Sequence, residues 1–205
     1  CFNMLHTAAS RVGALDIGFW SKSGFDLSDM GFVYLLGADN VPDDLISKKA
    51  FVVYQGHHGD KGAARADVIL PGAAYTEKNG RYVNTEGRVQ QARRAVHPPG
   101  EAREDWTIIR ALADRMDIKL DYCNYGELSA RMEKQWPHLG DFDMPFVNEW
   151  KSIQVKGKIS KDDFNVTVSN FYMTNVICKY SPTMAKCVEA FVKDKQDNLQ
   201  REAAE

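Results

Sequence analysis

The chain has 205 residues, with 26 Lys and Arg against 28 Asp and Glu, a formal net charge of -2 and a sequence pI near 6.2. A folded chain of this length hides roughly 70% of the surface its unfolded form exposes, so it carries one full domain, or a domain and a tail. This charge supplies no field that gathers nucleic acid or an anionic membrane, and no run approaches the ~20 apolar residues of a spanning helix, so neither nucleic-acid binding nor direct membrane insertion is expected.

The chain opens at Cys1 inside a helical pattern with no initiator Met, which reads as the downstream piece of a longer polypeptide. Met4, Leu5, Ala8, Ala9, Val12 and Leu15 recur at helical spacing, and Gly18 is the stop. Residues 19–29 read as a connection. Phe32 to Leu36 is a continuous apolar run closed by Gly37-Ala38-Asp39-Asn40, the pattern of a strand covered on both faces. Phe51 to Tyr54 repeats it and ends at Gly56, and Val68-Ile69-Leu70 stops at Pro71. Three such strands with short crossovers predict a parallel sheet flanked by helices, whose ligand loops lie beyond the carboxyl ends of the strands, around Asp39, His57 and Pro71.

Asn79-Gly80 has the composition of a two-residue turn, which predicts a hairpin between residues 76–78 and 81–84, and Glu86-Gly87 predicts a second turn before Arg88 to Gln91. Trp106, Ile109, Ala113 and Met116 make one apolar stripe behind the acidic Glu101, Glu104 and Asp105, predicting a helix over 102–116. A second helix is expected over Glu127 to Gln135, ended before Pro137. Residues 138–163, with Phe142, Phe146 and Trp150, show no period and read as an arm ordered by its neighbours. Phe171-Tyr172-Met173 and Val176-Ile177 read as extended, Thr183 to Val192 as a short amphipathic helix, and residues 193–205 as a frayed end.

Candidate chemistry is sparse. Cys1, Cys123, Cys178 and Cys187 are scattered rather than clustered as iron-sulfur or zinc ligands are, so free thiols in a reducing compartment are expected, with a Cys178–Cys187 pair as the alternative. Gly56-His57-His58-Gly59-Asp60 sets two imidazoles and a carboxylate among glycines. Neighbours in an extended loop point apart, so a shared metal is not expected. Arg81, Arg88, Arg93 and Arg94, with Tyr82 and His97, form a basic group able to grip a phosphate or a partner carboxylate, blunted by Glu77 and Glu86. No nucleophile elbow or phosphate-cradling Lys loop occurs.

Tyr54 to Asp60, Ala66 to Lys78, Tyr82-Val83-Asn84-Thr85-Glu86-Gly87-Arg88 and Ala102 to Trp106 together resemble the large iron-sulfur subunit of mitochondrial NADH:ubiquinone oxidoreductase, respiratory complex I. Phe171 to Thr174 and Thr183 to Val188 resemble that subunit's C-terminal end. The likeness covers nearly the whole chain and is weakest over 138–162. It implies an α/β fold, part of a molybdopterin-oxidoreductase-like domain over 1–137 with parallel strands and flanking helices, followed by an irregular C-terminal extension over 138–205 that docks on partners.

The resemblance further implies no catalytic residue, metal or cofactor in this chain, with iron-sulfur clusters and FMN elsewhere in the complex. Asn84, Glu86 and Arg88 correspond to the pterin side of the ancestral pattern and are expected as vestiges with structural work. The implied partners are the N-terminal iron-sulfur portion of the same subunit and other peripheral-arm subunits, at the mitochondrial inner membrane on its matrix side. The implied role is a noncatalytic segment supporting electron transfer from NADH to ubiquinone coupled to proton pumping. Two rivals remain: a segment of an active molybdopterin-dependent oxidoreductase, and a nucleotide-binding module using residues 37–40 and 56–59.

Overall fold

The computed structural model describes residues 6, 8–21, 26–42, 44–145, 161, 168 and 170–193. They belong to two compact units, residues 1–146 and 147–205. Cys1, Met4 and Leu5, Phe146 and Trp150 of the expected arm, and the expected frayed end beyond 193 lie outside the described residues.

In the first unit the expected parallel sheet is present. Strands β1 (Phe32–Leu36), β2 (Phe51–Gly56) and β3 (Val68–Pro71) pair in parallel in the order β1-β2-β3. Val33 lies beside Val52, and Tyr54 lies between Leu35 and Ile69. Alternation puts Val33, Leu35, Val52 and Tyr54 on one face, where Ile46 and Ala50 complete a buried cluster. Ala38 and Val41 from the β1–β2 connection pack on it, as do Ala63 of helix α2 (Lys61–Arg65) and Ala66 just beyond it. Burying a side chain of this size contributes about 1.5–3 kcal/mol, so this face is the main source of cohesion. Arg65 fastens the two connections together by donating to the Ser47 and Ala50 carbonyls, each at 3.0 Å, while the Asp67 carboxylate accepts the Val52 N–H at 2.7 Å.

Helix α1 (Arg11–Asp16) ends as Gly18 suggested. The Phe19 N–H reaches the Ala14 carbonyl and the Gly18 N–H reaches Leu15, the double bond of a Schellman stop. Strands β4 (Gly80–Val83) and β5 (Val89–Ala92) form an antiparallel hairpin, with Val83 opposite Val89. The pairing differs from the Asn79-Gly80 turn expected from the sequence. Gly80 opens β4, the Asn79 side chain accepts the Arg94 N–H at 3.2 Å, and Thr76 accepts from Ala95 and Val96, so residues 76–78 form a turn rather than a strand. The reversal falls at residues 84–88, where Asn84 folds the loop onto its own side chain and Gly87, at φ 82°, takes the left-handed conformation that costs a side-chain-bearing residue most.

Helix α3 (Asp105–Arg115) lies inside the 102–116 span expected, and α4 (Tyr125–Gln135) starts two residues before its expected first residue. Its start is set by Asn124, whose side chain accepts the Glu127 N–H at 2.9 Å, while the Glu127 carboxylate answers to the Cys123 N–H and the Asn124 amide. A 3-10 turn over Pro137–Gly140 then buries Leu139 against Val83 and Val89, with Val12, Met132 and Trp136 around them.

In the second unit, Phe171–Met173 is a 3-10 turn and Val176–Lys179 is helix α5, where extended chain was expected. The reason is capping. Asn170 accepts the Tyr172 N–H and Asn175 accepts the Cys178 N–H, which favours helical turns over a ladder that has no partner. Helix α6 (Pro182–Val188), capped by Ser181, continues into a π-helical turn over Glu189–Lys193. Tyr172 packs edge-on against Phe171 and stacks on Phe191 at 6.1 Å. No helix among the described residues is long and apolar enough to cross a membrane.

Candidate functional site

The carboxyl edge of the sheet gathers the three loops where a ligand would be sought. Tyr54 leaves the core face and brings its hydroxyl 2.5 Å from the Asp39 carboxylate and 2.6 Å from the His58 carbonyl oxygen, so one proton serves two acceptors and joins the first two loops. Its phenol stands where a side chain on Gly56 would have to go. The space between these loops is filled by the chain's own aromatic residue.

On the other face of β2, Gln55 is fully buried. The Tyr34 hydroxyl donates to its carbonyl oxygen, and its amide nitrogen donates to Asp105 Oδ1 at 2.8 Å. Lys78 closes the chain with an ion pair to Asp105 Oδ2. Asp105 is held there because Arg103 bonds back to Pro71 and Ala73 bonds to Arg103, delivering the first turn of α3 to the strand ends. A helix start favours a carboxylate. Burial, and then the negative charge of Asp105, raise the Tyr34 hydroxyl above its ordinary pKa, so it remains a donor. The sequence hid this relay because Gln55 sits at the end of an apolar run and Asp105 reads as an ordinary helix-start acid. The one available signal was a lone amide on a strand otherwise built for burial.

His57 and His58 do not point apart as an extended loop would require. The chain bends at both residues, and the two Nδ1 atoms approach to 2.8 Å with the rings edge to face. One ring must donate and the other accept, which is incompatible with both being protonated. Packing behind the ring lowers the pKa of His57 below its ordinary 6.5, and neighbouring His58 and Lys78 push the same way against Asp39 and Asp105. A base with a depressed folded pKa binds its proton more readily in the unfolded chain, so stability is complete above about 6.5 and falls as pH drops below it. His57→Gln is expected to flatten that fall in urea midpoints compared between pH 7.5 and 5.5, conditions set to bracket about one unit either side of the free imidazole. An unchanged pH slope would contradict the assignment.

Asn84, Glu86 and Arg88 come together in the hairpin loop. Asn84 Oδ1 accepts the backbone N–H groups of Glu86 at 2.9 Å and Arg88 at 3.0 Å. The Arg88 guanidinium lies 3.7 Å from Glu86 Oε2 and donates to the Asp143 carbonyl. The other arginines of the expected basic group are dispersed. Arg81 is buried beneath Leu139 and Glu133, Arg94 faces Glu104 at 3.4 Å, and Arg93 lines an open groove of about 660 Å³ with Gln91, Tyr125 and Phe142. A second open pocket, of about 410 Å³, holds His97 and Trp106 with Arg94. Cys123, Cys178 and Cys187 are free thiols. Among the described residues no three His, Cys, Asp or Glu side chains converge as metal ligands do.

Residues 1–115 match the family model described as molybdopterin oxidoreductase. The chain belongs to the molybdopterin oxidoreductase family. Residues 148–187 match a second model, that of the C-terminal part of the G subunit of NADH-ubiquinone oxidoreductase. The chain is 47% identical, over 96% of its length, to the mitochondrial NADH-ubiquinone oxidoreductase 78 kDa subunit of Candida albicans, and covers 29% of that protein. It is 48% identical to the G subunit of NADH-quinone oxidoreductase from Rickettsia bellii, with 92% of this chain and 28% of that one matched. It is also 48% identical to the NADH-ubiquinone oxidoreductase 75 kDa subunit of Reclinomonas americana, over 91% of this chain and 28% of that one. The chain thus spans under a third of the length of these relatives. Within the molybdopterin oxidoreductase family, these names agree with the resemblance carried by the 54–60, 66–78 and 82–88 motifs.

Proposed function

We propose that this chain is a noncatalytic structural segment of the peripheral, matrix-side arm of a respiratory complex I, at the mitochondrial inner membrane. On this reading it supports electron transfer from NADH to ubiquinone coupled to proton pumping, while iron-sulfur clusters and FMN are held by other parts of the assembly. Its partners are the remainder of the same subunit and neighbouring peripheral-arm subunits. The relatives are named as subunits of NADH-ubiquinone or NADH-quinone oxidoreductase, and the Candida albicans one is named as mitochondrial.

The observation that carries the noncatalytic part is how the pterin-side groups are occupied. Asn84 spends its carbonyl oxygen on two backbone N–H groups of its own loop, Arg88 is turned to Glu86 and the Asp143 carbonyl, and Tyr54 fills the gap between the first two strand-end loops. A pterin with its phosphates needs free forked donors and an open crevice. The residues present do not fit that group, so no step is routed through it. Asn84, Glu86 and Arg88 instead set the register of β4 and β5.

Elemental analysis of the purified respiratory assembly containing this chain is expected to find iron but no stoichiometric molybdenum or tungsten. Either of those metals at one per chain would sink the reading and favour an active pterin enzyme.

A further inference from the structure

Both connections of the three-stranded sheet run over the same face. With strands in the order β1-β2-β3, each right-handed crossover turns the same way, so the two connections land together. Val41 and Ile46 from the first, and Ala63 from the second, accordingly pack on Val33, Leu35, Val52 and Tyr54. The opposite face can be covered only by chain that enters from outside this group of strands. At the carboxyl end α3 does so through Asp105 and Gln55. Val53, two residues earlier on β2, is buried as well, but among the described residues the amino end and the β1 edge of that face stay open: Phe32 is 58% and Phe51 49% exposed, and Leu36 and Val68 are exposed on the same side. The Phe32 and Phe51 rings stack on each other, 6.3 Å apart and 15° from parallel, which presents a flat apolar surface.

We infer that this face of β1 and β2 is a docking surface for an apolar α-helix contributed by the part of the same subunit that lies ahead of this segment. The inference rests on the reading of the chain as a subunit segment. Parallel sheets are stable between two layers of helix, and here the second layer stops short of Phe32 and Phe51. The exposed row carries no charged side chain, so the occupant is apolar rather than an acidic or basic peptide. Length supplies the source. The chain covers 29% of its Candida relative, and its residues 148–187 match the C-terminal model of the G subunit, so most of the remaining polypeptide precedes it. In doubly wound sheets the second face is covered when strand order reverses beside the first strand, and β1 is an edge strand of this sheet.

The test uses the full-length subunit in its assembly. A benzophenone side chain placed at Phe51 is expected, on irradiation, to join to an apolar helix of the preceding part of the same subunit, mapped by mass spectrometry. Adducts to a second copy of this segment, to a different subunit, or to nothing would overturn the inference. In parallel, the Phe32→Asp, Phe51→Asp double variant is expected to lower the fraction of the subunit recovered in the assembly by about tenfold, while Phe51→Leu stays near wild type. Equal recovery of the aspartate variant would also overturn it. If the subunit is in the respiratory assembly but the adduct maps elsewhere, only the docking assignment falls. If it is never found in that assembly, the proposed function falls with it.

Discussion

Arg81→Leu is expected to lower the unfolding free energy by about 3 kcal/mol in urea titration, and Arg81→Lys by roughly half as much. The Arg81 side chain is 5% exposed and sits on β4 beneath the 3-10 turn that follows α4. It donates to the Leu139 carbonyl at 2.7 Å and bonds to Ser129 Oγ and Glu133 Oε1, with its guanidinium 4.8 Å from the centre of the Phe142 ring. The Glu133 carboxylate is half exposed and recovers water when Arg81 is removed, so the ion pair itself contributes little. Most of the loss comes from the carbonyl of Leu139, a residue only 3% exposed, which loses its charged donor. Two consequences separate these terms. Glu133→Gln should cost well under the arginine change, and raising salt should not erase the penalty, because screening acts on exposed charge. A leucine variant as stable as the parent would show that the turn over Pro137–Gly140 does not depend on this donor.

The parts of the fold that were legible in the sequence are those fixed by burial on a short period. Phe32–Leu36 was bounded to the residue, and the other two parallel strands were short by one or two, because apolar runs on a sheet covered at least partly on both sides announce themselves. What stayed hidden was decided by single polar side chains. Asn79-Gly80 has the strongest local turn composition, yet the Asn79 side chain caps Arg94 instead of turning a hairpin, and the chain reverses at the second expected turn, Glu86-Gly87, in a loop that Asn84 closes. Asn170 and Asn175 turned two apolar pieces helical by capping them. The site was legible as a place, the strand-end loops at Asp39, His57 and Pro71, but not as an arrangement. Spacing along the chain carries no trace of Tyr34, Gln55, Lys78 and Asp105 meeting, since they converge only through the register of β1 on β2 and the return of residues 102–105 to β3. The bend that turned His57 onto His58 is likewise a property of the loop's packing rather than its composition.

Gln55→Glu is expected to destabilise the chain progressively as pH rises, whereas Gln55→Leu should cost about 2 kcal/mol with little pH dependence. Gln55 has no contact with solvent and lies between one donor, the Tyr34 hydroxyl, and one acceptor, Asp105 Oδ1. An amide is the side chain of that length that offers an acceptor to the first and a donor to the second at every pH. Leucine leaves both partners unpaired, but Tyr34 and Asp105 are only partly buried and can recover some hydration. A carboxylate in the same place is worse: it faces Asp105 across a hydrogen-bond distance from a position closed to solvent, where the two charges are poorly screened, so one of the pair must hold a proton. The folded pKa of the new group is therefore raised above the free value of about 4.3. A raised folded pKa means that stability is intact below that value and is lost as pH climbs through it, at about 1.4 kcal/mol for every tenfold difference in proton affinity between the folded and unfolded chains. Urea midpoints of the variant should fall steadily from pH 5 toward pH 8, a window chosen to start near the free carboxyl, while the leucine variant holds level. A glutamate variant with a flat profile would mean that Lys78 neutralises both carboxylates, and that the Tyr34–Gln55–Asp105 relay tolerates charge at its centre.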